Sequence, residues 1–279
     1  MANDPFWHVF DAGAGRPLVF LHNGGGTFLN WAYQLEYFLP NYRVIAPDLP
    51  GFGRSARLGL PLTLDLYVQG LKDQLDRLDI SKPILIGNCI GSSIALEFAL
   101  REPERVAALA LFNVCGGLPM LSPRLQFWAG LRPVTALGKR FHQLMVDTAS
   151  HPVLYPLNAP LLYAGALPEL PPALLEFSVQ QRREPALRAS LYWLAMGLGS
   201  FGVFTQTRQK PKGFPPVLLG WGRQNQVLDV SWAEMIAHWL KPERLWLMEN
   251  TGHMPMHEHP ALVNVTLSEF FQAANDRGI

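Results

Sequence analysis

Ile84-Leu85-Ile86-Gly87-Asn88-Cys89-Ile90-Gly91-Ser92-Ser93 is the stretch whose reading decides the fold. Its opening apolar run reads as a buried strand, and Ile94-Ala95-Leu96-Glu97-Phe98-Ala99-Leu100 continues after it as a helix. Gly-x-Cys-x-Gly stands between them. Glycines at those two places permit a sharp strand-to-helix turn, which holds one side chain on a strained backbone above the C-terminal edge of a sheet. The residue so held is Cys89. It also starts a helix, where the dipole favours a thiolate, so the spacing marks Cys89 as a nucleophile. The second of the two cysteines, Cys115, reads as a small core residue instead.

Working outward, short apolar runs alternate with longer helical patterns. Strands are predicted at residues 6–12, 17–22, 42–47, 83–88, 106–112, 216–221 and 244–248, and helices at 63–78, 90–101, 231–239 and 260–273. That alternation predicts a mostly parallel sheet with helices on both faces. Between Val114 and Lys212 the rhythm breaks into helical pieces punctuated by prolines such as Pro133, Pro152, Pro160 and Pro171. No repeat or low-complexity segment stands out.

Five segments, taken together, resemble the α/β-hydrolase fold. The cysteine turn resembles the family's nucleophile elbow, with cysteine where most members carry serine. Leu18-Val19-Phe20-Leu21-His22-Asn23-Gly24-Gly25-Gly26 resembles the oxyanion loop, and Val44 to Ser55 resembles the next strand and turn. Val217-Leu218-Leu219-Gly220-Trp221-Gly222 is similar to the strand before the triad acid. Thr251-Gly252-His253, followed by Glu258 and Pro260, is similar to the histidine loop. The resemblance implies a hydrolase core over residues 1–113 and 213–279, with residues 114–212 inserted as a helical cap, or lid, over the site.

It also implies roles. Cys89 would be the nucleophile and His253 the base, with the backbone N–H groups of Ile90 and Gly24 as the oxyanion hole. The third member departs from the family: the usual Trp-Gly-x-x-Asp reads Trp221-Gly222-Arg223-Gln224-Asn225 here, and the other position at which members place an acid falls near Asn113. Asn225 is taken as the orienter of His253, with Asp229 or Asn113 as alternatives. Cysteine makes an amide chemically coherent, because a thiol ionises near pKa ~8.5 and leans less on a strongly basic imidazole than a serine does. Cys-His-Asn sites do occur on another fold, that of papain-like proteases. Asn23 stands where the family usually has glycine. It tolerates a left-handed backbone and is placed to touch substrate. Asp48 reads as a structural residue of its turn. No metal or cofactor is implied: His253, His257 and His259 lack zinc-helix spacing, and Gly24-Gly25-Gly26 lacks the Gly-x-Gly-x-x-Gly of a dinucleotide loop.

Composition bounds the rest. The chain has 279 residues, 49% of them hydrophobic and 16% charged, with a net charge of +1, which supplies no argument for nucleic acid. Two cysteines make no disulfide framework. No stretch of 18 or more apolar residues predicts a membrane span, and the start Met1-Ala2-Asn3-Asp4-Pro5 lacks a signal pattern, so the expected location is cytoplasmic. Residues 114–212 carry ten basic residues against four acidic ones. A solvated helix face accounts for Lys139, Arg140, Arg182, Arg183 and Arg188, and a docking surface for an acyl carrier protein or coenzyme A is the alternative. Aromatics crowd the same segment, among them Phe127, Trp128, Phe141, Tyr155, Tyr163, Phe177, Tyr192, Trp193, Phe201 and Phe204. With Met145 and Met196 they dock the cap on the core, and they suggest a small-molecule apolar acyl or ring-bearing substrate.

The expectation is an acyl-enzyme hydrolase cleaving an ester or thioester through a thioester to Cys89. Polyester synthases and dienelactone hydrolases, family branches with a cysteine elbow, serve both transfer and hydrolysis. An acyltransferase handing the group to an alcohol, amine or thiol is therefore the first alternative, and a non-catalytic binding protein with a relict triad is the second.

Overall fold

A computed structural model describes residues 6–123, 125, 126, 140, 144, 148, 161–165, 167–202 and 209–276. Seven strands form one sheet: β1 (Val9–Ala12), β2 (Pro17–Leu21), β3 (Arg43–Pro47), β4 (Ile84–Asn88), β5 (Ala108–Phe112), β6 (Val217–Gly222) and β7 (Arg244–Met248). Their order is β1-β3-β2-β4-β5-β6-β7; β1 is antiparallel to β3 and every other pairing is parallel. All seven strands were legible as apolar runs.

Because side chains alternate across a strand, each strand feeds two cores. On one face Val19, Leu21, Leu85, Leu109, Leu111 and Leu219 pack under α2 (Leu64–Arg77), α3 (Ile90–Arg101) and a helix at Ser231–Leu240. On the other, Phe20, Ile84, Ile86, Ala110 and Leu218 meet α1 (Ala32–Phe38) and a helix at Pro260–Asp276, through Leu35, Phe38, Val263, Leu267 and Phe271. Helix α3 is buried from Ile90 to Leu100, which is why its sequence shows no polar stripe. The helix α1 was not anticipated. It is only seven residues long, and Gln34 within it is buried, where it bonds Asn264.

Between β5 and β6 lie α4 (Pro172–Arg183) and α5 (Pro185–Gly197). Among the described residues the α-helices that follow are α6 (Ser231–Leu240), α7 (Pro255–Glu258) and α8 (Pro260–Asp276). Helix α5 sits on the core: Trp193 O accepts the N–H of Leu62, and a Cβ added at Gly24 would come within 2.6 Å of Leu194 Cδ2. Phe201 is fully buried against Tyr67. The insertion expected over residues 114–212 is described only in part. Phe127, Trp128, Lys139, Phe141, Met145, Tyr155 and Phe204 lie outside the described residues. Among the described residues no helix is long and apolar enough to cross a membrane.

Candidate active site

Cys89 has φ 56° and ψ −117°, a conformation an L residue rarely adopts, and it caps α3. The strain is held by neighbours on both sides. Its N–H bonds Phe112 O at the end of β5 (3.0 Å), and its carbonyl receives the N–H of Ser93 (3.2 Å). The turn is possible because Gly87 and Gly91 face each other so closely that a Cβ on Gly87 would strike the Gly91 backbone, and one on Gly91 would strike Leu21 O. The backbone N–H groups of Ile90 and Gly24 lie near the sulfur and favour its thiolate. Two donors from separate elements thus converge beside the candidate nucleophile.

The thiol departs from the sequence expectation. Cys89 is pushed well above the ordinary thiol range, first by its hydrogen bond with Cys115 and then by burial, against which the N–H groups of Ile90 and Gly24 pull only partly. Cys115 moves the other way, lowered by the bond from Cys89 and by the N–H of Gly117. The helix N-terminus therefore does not deliver a resting Cys89 thiolate. Burial and the neighbouring thiol act against the dipole. Ser93 Oγ joins the same pair of segments, lying 3.2 Å from Cys89 O and donating to Cys115 O at 2.6 Å. The sequence offered no signal that Cys115 touches Cys89, since 26 positions of helix and strand separate them.

The oxyanion loop is anchored by His22. Its Nε2 accepts the N–H of Leu49 (2.8 Å), so Nδ1 carries the proton and donates to Asn23 O (2.7 Å). Asn23 is 8% exposed; its Oδ1 accepts from Asn30 Nδ2 (2.7 Å) and its Nδ2 reaches Gly24 O (3.2 Å). The left-handed position of this loop is Gly25, at φ 74°, and not Asn23. Asp48, fully buried, accepts from Thr27 Oγ1, the N–H groups of Phe28 and Arg54, and lies 3.2 Å from His8 Nδ1. It ties the 48–55 turn to the segment that follows the glycine loop, a structural duty.

His253 is 2% exposed, and burial lowers it to about 3, so the ring is neutral. Its backbone is clamped: N–H to Leu162 O (2.8 Å), and carbonyl to Asn88 Nδ2 (3.1 Å) and Asn113 Nδ2 (3.2 Å). Gly252 allows this, since a Cβ there would lie 2.8 Å from the backbone of Tyr163 and Ala164. Glu258 braces the loop by accepting from Gly252 and Ala164, and burial raises its carboxyl. The ring is another matter. Nδ1 is buried without a hydrogen-bond partner, and no hydrogen bond joins the ring to Cys89.

The three candidates for the third position do not reach that nitrogen. Asn225 Oδ1 accepts the N–H groups of Val227 (2.9 Å) and Leu228 (3.0 Å), while its Nδ2 donates to Asn113 Oδ1 (3.0 Å). Its oxygen is thereby committed to its own loop, which corrects its reading as the acceptor of the imidazole N–H. Asn113, at φ 47° and fully buried, receives the N–H of Gly222 (3.1 Å) and donates to Asn88 Oδ1 (3.0 Å). Asp229 is exposed, caps the start of α6 through Ser231 N, and is lowered by its bonds to Ser231. Asn88, Asn113 and Asn225 form one chain across the ends of β4, β5 and β6, and it grips the carbonyl of His253 instead of its ring.

Beside the glycine loop opens a pocket. Asn23, Thr27, Asn30, Ser178, Gln181 and His257 give it a polar side, and Leu162, Leu170, Leu174, Leu187, Leu191 and Met254 an apolar one. The polar half was not anticipated from the aromatic content of the insertion. His257, lowered to about 4 by burial, bonds Asn30 O (2.9 Å) and Tyr163 Oη (3.2 Å). Among the described residues no group of three His, Cys, Asp or Glu side chains is placed to hold a metal ion.

Residues 16–260 match the alpha/beta hydrolase fold family, and the chain belongs to it. It is 28% identical over 276 residues to a 2-hydroxymuconate semialdehyde hydrolase of a Pseudomonas strain, covering 98% of this chain and 92% of that protein. Over a shorter stretch, 113 residues, it is 35% identical to a 2-hydroxy-6-oxo-2,4-heptadienoate hydrolase of Pseudomonas putida, covering 39% of this chain and 41% of that one. A crystal structure of a meta-cleavage product hydrolase superposes with a TM-score of 0.74 at 22% identity, covering 96% and 94% of the two chains, and thus shares the fold. The relatives named here are hydrolases.

Proposed function

We propose that this protein is an acyl-transfer hydrolase in which Cys89 attacks the carbonyl of an ester or thioester. The observation that carries this reading is the presence of the Ile90 and Gly24 N–H groups beside Cys89 Sγ, where they would meet the carbonyl oxygen as the sulfur bonds its carbon. Cys89 starts as a thiol and His253 as a neutral imidazole. The thiol proton passes to His253 as the C–S bond forms, and the leaving alcohol or thiol takes it back as its bond to carbon breaks. Water, losing a proton to His253, then attacks the thioester carbon; the C–S bond breaks, Cys89 takes the proton back from His253, and the acid leaves. The asparagine chain positions the His253 backbone throughout. Because no acceptor backs Nδ1, ring orientation is left to the walls of the site.

That missing acceptor favours a second reading, a binding protein that retains the fold and has lost the chemistry. One experiment separates the two. Incubation with p-nitrophenyl butyrate, quenched in acid and read by intact mass, shows a butyryl adduct on the unaltered protein and none on Cys89→Ala, whose turnover falls by about 10³-fold or more. Nitrophenol release at the same rate from both proteins, with no adduct, would overturn the hydrolase reading.

A further inference from the structure

Gln181 is one of the residues lining the pocket beside the glycine loop. Gln181 is 4% exposed and its Nε2 is buried with no partner. It is not a stray surface amide. Leu174, Ser178 and Gln181 lie at i, i+4 and i+7 on α4, so one face of that helix forms a wall of the pocket, and Gly24 to Gly26 form part of another. A buried amide N–H left unmet destabilises a fold, and native structures keep few of them without a function.

The same walls indicate what would meet it. Among the described residues lining the pocket there is no lysine or arginine. His257, the one histidine there, is held neutral by burial and has both ring nitrogens engaged. A carboxylate entering this space would lose its water and find no counter-charge. A ketone, amide or ether oxygen loses far less on desolvation, and the leucines opposite accept the carbon chain that carries it.

We propose that Gln181 forms a specificity subsite, donating its Nε2–H to a neutral oxygen acceptor on the acyl chain of the substrate. This rests on the acyl-transfer reading above for the identity of the ligand, and it adds a position in the fold that the relatives' names do not supply.

The test compares p-nitrophenyl esters of matched length: pentanoate, 4-oxopentanoate and the monoester of glutarate, with heptanoate and 6-oxoheptanoate as a longer pair. At one length or the other the unaltered protein is expected to favour the oxo ester over its hydrocarbon match by about ten- to a hundredfold in kcat/KM, the range of one buried hydrogen bond, and to disfavour the glutarate monoester. Gln181→Leu should bring the oxo-to-hydrocarbon ratio close to one. Its thermal midpoint without ligand should equal or exceed that of the unaltered protein, because an unmet polar group has been removed. Oxo ratios near one at both lengths, a ratio unmoved by Gln181→Leu, or a glutarate preference would each overturn the subsite. If Cys89→Ala turns the esters over as fast as the unaltered protein, the fault lies with the nucleophile assignment instead. The subsite is then read by calorimetry on Cys89→Ala with methyl 4-oxopentanoate against methyl pentanoate and methyl 6-oxoheptanoate against methyl heptanoate, where equal affinities within both pairs would overturn it and tighter binding of an oxo ester would support it.

Discussion

The elbow between β4 and α3 and the corner formed by the ends of β5 and β6 have been furnished to different standards. At the elbow a strained backbone, two facing glycines and two converging N–H donors surround one sulfur. At the corner, where the family's carboxylate would stand, three asparagines bond one another and the His253 carbonyl, and His253 Nδ1 is left bare. The difference teaches that positioning and activation are separable. An amide chain can hold a histidine loop in place as well as a carboxylate can, but it offers the imidazolium no charge. The site therefore offers a buried thiol and a neutral ring, not a charged pair.

The largest effect expected of that arrangement is on stability against pH. His253 and His257 are lowered to about 3 and about 4 by burial, so the unfolded chain binds protons that the native state refuses. Their contribution is fully present above pH ~6.5 and is lost as pH falls toward those values, by up to about 3–5 kcal/mol each. His22, also lowered by burial, adds to the same slope, whereas the raised Glu258 opposes it. Urea midpoints should thus fall steadily from pH 7 to pH 4.5, and His253→Gln should flatten the slope. A midpoint independent of pH across that range would show that the rings are not held neutral, and the contrast between the two regions would lose its electrostatic basis.

Next in size is a change at the corner itself. Asn225→Asp replaces the donor facing Asn113 Oδ1 with a second acceptor, so that two oxygens meet in a buried place. A loss of about 1–3 kcal/mol in denaturant unfolding is expected, together with no gain in turnover. If activity instead rises by the ~10⁴-fold that mirrors amidation of a serine triad's aspartate, the corner was waiting for a charge and the comparison drawn here is wrong.

The smallest effect concerns the sulfur. Removing the neighbour that raises Cys89 should lower it, so Cys115→Ala is expected to move the alkylation profile of Cys89 by iodoacetamide to lower pH and to speed labelling several-fold at pH 7.5. An unchanged profile would mean that burial alone governs the thiol.

Much of this molecule could be read in advance. The central strands appeared as runs such as Leu18-Val19-Phe20-Leu21 or Ala108-Leu109-Ala110-Leu111, because a parallel strand buried on both faces needs apolar side chains throughout. Cys89 was legible because its backbone needs glycine two residues to either side, and that demand is written locally. The short α1 escaped notice because its apolar periodicity barely outlasts two turns.

What the sequence by itself determined is the order of strands and helices, the strained turn and the identity of the residue it presents, since propensity, periodicity and glycine spacing act over a few neighbouring residues. What only the tertiary structure decided is which polar groups meet. Asn225 was read as a partner for His253 and is bonded to Asn113, 112 positions away. Cys115 was read as inert packing and touches the nucleophile, and Gln181 was unremarked until α4 placed it, unpartnered, in the wall of the pocket beside the glycine loop. A side-chain hydrogen bond depends on approach to within about 3 Å, and for segments distant in the chain that approach is set by packing of the whole fold.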